Sequence, residues 1–214
     1  MNNQLKIAGR TALLITISLL VFSCTKKKIE VKNNAGKVVE KYYVSRKDPS
    51  KRVGSYKAFY DSGKLLEEAT YKDGLPDGER KMYFESGNVM IVEHYKKGLF
   101  EGEYLSYEQD GSLAVKGQYE DNVMSGVWRK YYSTPKDRVK EEVTFSNNEE
   151  NGPFKEYHPN GKVSVEGNYN GGFMDGEIIL YDEKGNITKK LMYQDGKQIG
   201  KQEFIKEEPS PVIQ

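Results

Sequence analysis

The sequence predicts an all-β protein, an elongated single-layer antiparallel meander of about six 24-residue β-hairpin repeats. Three observations predict it. Glycine recurs at Gly54, Gly78, Gly102, Gly126, Gly152, Gly176 and Gly200, at intervals of 24 residues with a single interval of 26. With that glycine as column zero of each unit, three columns stay apolar or aromatic. Column five reads Phe59, Tyr83, Tyr107, Tyr131, Tyr157 and Tyr181; column eleven holds Leu, Val or Ile; column seventeen reads Tyr71, Tyr95, Tyr119, Phe145, Tyr169 and Tyr193. Between columns five and eleven stand polar pairs followed by glycine, such as Asp61-Ser62-Gly63 and Glu85-Ser86-Gly87. That pattern marks a three-residue hairpin loop whose last residue takes positive φ. A period this regular is the signature of a repeat architecture.

The elements follow in chain order. In residues 1–23, Lys6 and Arg10 precede the apolar run 12–22, and no acidic residue occurs before Glu30. A membrane-spanning helix needs roughly 20 apolar residues, so this run has the length of a signal-peptide core instead. The run ends in Ser23-Cys24, which resembles a bacterial lipobox, although Phe22 departs from the commonest residue two before the cysteine. The resemblance implies cleavage before Cys24 and a lipid on its sulfur. Cys24 is the chain's only cysteine, so it has no partner for an intrachain disulfide. Residues 24–52 then read as the lipidated cysteine, a lysine-rich tether (Lys26-Lys27-Lys28) and a worn capping hairpin over 29–44. Residues 53–201 are the repeats, with units starting at Gly54, Gly78, Gly102, Gly126, Gly152 and Gly176, and 202–214 form a tail whose first residues extend one last strand over 201–204.

Within a unit, side chains alternate between faces. An odd hairpin loop therefore predicts that columns five, eleven and seventeen share a face. The fourth unit carries Ser133-Thr134-Pro135-Lys136-Asp137-Arg138 in place of the glycine turn, two residues longer, which keeps parity where one residue would flip it. The other face is expected to be wetter. Column two falls on it, so Tyr56, Tyr104, Trp128 and Phe154 become the candidate interaction surface. Looser turns are expected at columns nineteen to twenty-four, and the zero-column glycine is expected to admit an aromatic ring of the next unit.

Segments such as Gly78-Glu79-Arg80-Lys81-Met82-Tyr83 and Tyr95-Lys96-Lys97-Gly98-Leu99-Phe100-Glu101-Gly102 resemble MORN repeats. They are most similar to the 24-residue bacterial variant of YwqK-like antitoxins. The resemblance implies consecutive hairpins in one long twisted sheet, and an antitoxin or immunity role as one alternative.

No catalytic constellation, cofactor motif or metal-ligand spacing appears. His94 and His158 stand in different columns, and the adjacent carboxylates Glu67-Glu68 and Glu141-Glu142 must point to opposite faces of a strand. Glu149-Glu150 is expected in a turn. Loss of the leader removes Lys6 and Arg10, leaving 31 basic against 32 acidic residues, a balance that argues against nucleic acid as partner. The expected function is a non-enzymatic, membrane-anchored scaffold for protein–protein interaction in the bacterial cell envelope. Thr25 after the cysteine resembles lipoproteins of the outer membrane facing the periplasm. Glycan or lipid binding through the aromatic face is the other alternative, and a homodimer through a sheet edge is a further expected partnership.

Overall fold

The computed structural model describes residues 25–204; the segment expected to be a signal peptide, Cys24 and the end of the tail lie outside the described residues. The described chain forms one antiparallel sheet of eighteen strands and no helix. Each strand pairs with its sequence neighbours, so the sheet is a meander from Lys26–Lys32 at one edge to Lys197–Glu203 at the other. Three two-residue strands, Leu75–Pro76, Leu99–Phe100 and Phe173–Met174, are the opening rungs of longer strands interrupted at the residue before the zero-column glycine. All described strands lie in this one sheet, so no second layer of described residues covers either face.

The expected hairpin loops are present. Gly63 donates its N–H to the Tyr60 carbonyl and Tyr60 to that of Lys64, and the same pair of bonds recurs around Gly87, Gly111, Gly161 and Gly185. In the fourth unit the longer loop closes with Tyr132 N–H on the Arg138 carbonyl, and Asp137 supplies the positive φ (60°). The connections between units are tighter than expected. Columns nineteen and twenty both have positive φ, as in Asp73 (54°) and Gly74 (91°) or Asn147 (54°) and Asn148 (67°). Lys72 and Leu75 pair directly across that turn. Positive φ at both central residues is the two-residue turn whose twist matches a twisted hairpin.

One expectation about faces is overturned. Tyr56 pairs with Ala69, Tyr104 with Gly117 and Phe154 with Gly167, which puts columns two, fifteen and seventeen on the same face. Column five lies on the opposite face with column fourteen. The cause is an extra residue at column twelve of every unit: Ala58 faces Glu67 while Phe59 faces Leu65, leaving Leu66 unpaired. The other five units repeat it, as does Val39 in the N-terminal hairpin. A single-residue β-bulge inverts the facing of everything after it.

Two further expectations change. Lys26–Lys28 belong to the edge strand and pair with Val38–Ser45, so these lysines are not a tether. Lysine along an unpaired edge discourages another strand from adding to it. The zero-column glycines do not admit an aromatic ring of the next unit: beside Gly78, Gly102 and Gly152 stand Thr70, His94 and Thr144 of the preceding unit. Those glycines are required by positive φ, as at Gly152 (116°).

Candidate interaction surface

The face carrying columns two, fifteen and seventeen holds the core. Along its centre, bulky column-two residues alternate with column-fifteen residues that are mostly smaller. Phe154 and Ile178 are each 3% exposed and meet over Gly167. Trp128 lies flat against Gly117, where a Cβ would come within 2.1 Å of the indole. The close approach therefore belongs to column fifteen, and glycine there makes room for a ring.

From Tyr95 to Phe145 the rings form a continuous half-exposed row. Centroids stand 4.6 Å apart for Tyr95 and Phe100, 5.1 Å for Phe100 and Tyr119, 5.1 Å for Tyr119 and Trp128, and 6.2 Å for Trp128 and Phe145. Tyr119 meets Tyr104 and Trp128 edge to face, the arrangement that the ring quadrupoles favour. The Trp128 Nε1 is buried without a hydrogen-bond partner, so the indole is held by packing. Burial raises the hydroxyl pKa of both Tyr104 and Tyr119.

On the N-terminal side of Tyr95 the rings give way to charge. Arg80 takes column two of the second unit and donates from Nε to Glu67 (2.8 Å) and from Nη1 to Glu93 (2.7 Å). Glu93 is 7% exposed and also accepts from the Tyr95 hydroxyl. The bond to Glu67, against the cost of burial, raises the Arg80 pKa further above its ordinary value. A second arginine, Arg52, lies over Tyr42, Tyr56 and Tyr71 at 4.6, 5.0 and 5.6 Å from their centroids.

Of the four residues expected to form a surface, Tyr56 and Phe154 are buried, while Tyr104 and Trp128 belong to the half-exposed row. They share a face, but with column seventeen. Phe100, Met124, Tyr95, Tyr119 and Phe145 complete the surface and were not among the expected residues. Column twenty-two, with Phe100, Met124 and Met174, carried an apolar signal, hidden because it fell in a segment read as turn.

Five segments, 52–73, 76–97, 100–121, 150–170 and 174–195, match the MORN repeat variant, together about half of the chain. The chain belongs to the MORN repeat variant family. No curated protein matches it. The MORN segment left unmatched is the fourth unit, with the longer loop and Trp128, yet its hairpin pairs in the same register as the rest.

The other MORN face is built from charge. Three times a column-three cation, a column-fourteen glutamate and the column-five tyrosine of the next unit form a chain. Lys57 and the Tyr83 hydroxyl share Glu68; Arg129 and Tyr157 share Glu142; Lys155 and Tyr181 share Glu166, at 2.5 to 3.1 Å. Bonds from Tyr83 and Tyr181 lower the pKa of Glu68 and Glu166. Glu142 is also lowered, since Tyr157 and Arg129 together outweigh its burial. Tyr83 and Tyr157, by burial and then their glutamates, and Tyr181, by its glutamate and then burial, are pushed up to about 12.

Both histidines are bound to backbone. His94 Nδ1 donates to the Glu103 carbonyl (2.9 Å) and His158 Nε2 to that of Tyr181 (3.0 Å). Glu67 and Glu141 point to the aromatic face and Glu68 and Glu142 to the charged one, as alternation requires. Glu149 and Glu150 open the strand Glu149–Tyr157; they do not form a turn. No group of three metal-ligating side chains occurs among the described residues.

Proposed function

We propose that this MORN-repeat chain is a non-enzymatic binding scaffold, anchored by lipid on Cys24 in a bacterial envelope, at the outer membrane facing the periplasm. Its partner is another envelope protein. One observation carries the binding half: the row from Tyr95 to Phe145 is continuous, aromatic and half-exposed, with no layer of described residues over it. Contiguous apolar surface of this kind costs solubility unless something docks there, and aromatic side chains dominate binding energy at protein interfaces. The glycan reading is weaker, because one face of the Trp128 ring lies on Gly117 and Tyr119 meets it edge on, which leaves less open ring surface for a sugar.

The test places a photo-crosslinking amino acid at Met124 on the aromatic face and, separately, at Gln118 on the charged face of the full chain in intact cells. A discrete adduct from Met124 and none from Gln118 is expected; adducts from neither, or equally from both, refute the scaffold. The anchor is read separately. Cys24→Ser should move the protein from the detergent phase to the aqueous phase of a Triton X-114 partition.

A further inference from the structure

We infer that the aromatic face around Phe145 and Tyr169 docks a cationic amphipathic segment of another protein, whose Lys or Arg side chains meet Glu150 and Glu156. This rests on the scaffold reading above and adds the chemistry of the partner. The face holds three places where carboxylates border its rings. At the first, Arg52 covers three tyrosines and lies 3.7 Å from Glu40. At the second, Arg80 bridges Glu67 and Glu93. The chain thus twice satisfies this surface with its own guanidinium.

At the third place the nearby arginine, Arg129, is turned to Glu142 on the other face. Glu141 pairs with Lys130 (3.0 Å), but the carboxylates of Glu150 and Glu156 have no ion pair or hydrogen bond among the described residues. Glu156 stands directly across from Glu141, an arrangement of like charges that destabilises a sheet. Burial first, then Glu150, Glu141 and Glu156, raises the pKa of the Tyr169 hydroxyl among them. Glu150 occupies column twenty-two, where the first place has Arg52. It borders a cleft of about 90 Å³ whose apolar wall includes Val115, Met124 and Val143. Apolar groups of a partner would fill the cleft, and its cations would relieve Glu150 at the rim and Glu156 across from Glu141.

The experiment selects peptides from a displayed library of random 12-residue sequences on the full chain. It then measures the best of them by fluorescence anisotropy on the wild type and on Glu150→Gln/Glu156→Gln. Enriched peptides should combine Lys or Arg with apolar residues, and the double substitution should raise Kd about fivefold or more, the scale of two rim charge pairs. Its thermal midpoint should stay level or rise, which excludes unfolding as the cause. Peptides without a cation excess, unchanged affinity, or no enrichment at all would overturn the inference. Vesicles of phosphatidylglycerol displacing the peptide would make a membrane the occupant and overturn it too. The scaffold reading is judged apart from these outcomes, by the Met124 crosslink.

Discussion

The two faces of this sheet hold the same repeats in register by different means. On the aromatic face, burial and ring packing do it, and column-fifteen glycines make room for Trp128 at Gly117 and for Phe154 and Ile178 at Gly167. On the charged face the contacts are exposed ion pairs joined to tyrosine hydroxyls. Exposed ion pairs contribute at most about 1 kcal/mol each, whereas a buried aromatic side chain contributes about 3–5 kcal/mol against truncation. Stability should therefore be concentrated on one side of a single layer. The other side fixes the spacing of units and keeps the surface soluble.

The largest expected effect is Phe154→Ala. The ring is almost fully buried and lies tilted, 4.8 Å from Tyr169, against Val143 and Ile178. A loss of about 3–5 kcal/mol in urea denaturation is expected. Because each unit contacts only its neighbours, the transition should also broaden as the ends uncouple. A loss below about 1 kcal/mol would remove the distinction between the faces.

Next comes Gly117→Ala. The backbone there does not need positive φ, so the cost is steric alone: the new methyl meets the rigid indole of Trp128. About 1–3 kcal/mol is expected. Trp128 is the only tryptophan, so its emission reports the displacement directly. An unshifted spectrum would mean that the ring is not held against the strand.

The period, the turns and the inserted loop were legible in the sequence because they depend on glycine and on residues that tolerate positive φ. Asn122 and Asn148 stand where other units have a column-twenty glycine, and they adopt φ of 70° and 67°. The assignment of faces was not legible. The bulge at column twelve is occupied by Leu66, Met90, Ala114, Lys140, Ser164 and Thr188, which share no property. A bulge residue near right-handed helical φ needs no special side chain, so it leaves no mark in composition. Missing it moved column two to the wrong side, although the same residues had been singled out. Arg80 and Glu93 were equally opaque. Only the pairing of column two with column fifteen shows that an ion pair replaces an aromatic contact there.

On the charged face, Glu142→Gln should cost less than about 1 kcal/mol, since the amide still accepts from Tyr157 and only the pairing with an exposed arginine is weakened.

The smallest effects concern pH, and their direction separates the faces. Glu68, Glu142 and Glu166 have folded pKa values below their unfolded ones, so their contribution is present above the unfolded carboxylate range and is lost as pH falls through the folded values. Tyrosines on both faces, including Tyr56 and Tyr95 as well as Tyr83, are held near 12. Their unfolded pKa is about 10, so between pH 10 and 12 the unfolded chain releases protons that the folded chain keeps, and stability falls. The alkaline loss is thus shared, while the acid loss includes the glutamates of the charged face together with carboxylates elsewhere, such as Asp110 and Glu203. Urea denaturation of the triple variant Glu68→Gln/Glu142→Gln/Glu166→Gln at pH 4, pH 7 and about pH 11 should show a smaller acid loss than the wild type, with the part of the alkaline loss that burial of Tyr56 and Tyr95 causes still in place. An unchanged acid loss would mean that carboxylates elsewhere set it, and that the tyrosine–glutamate chains position the units without stabilising them.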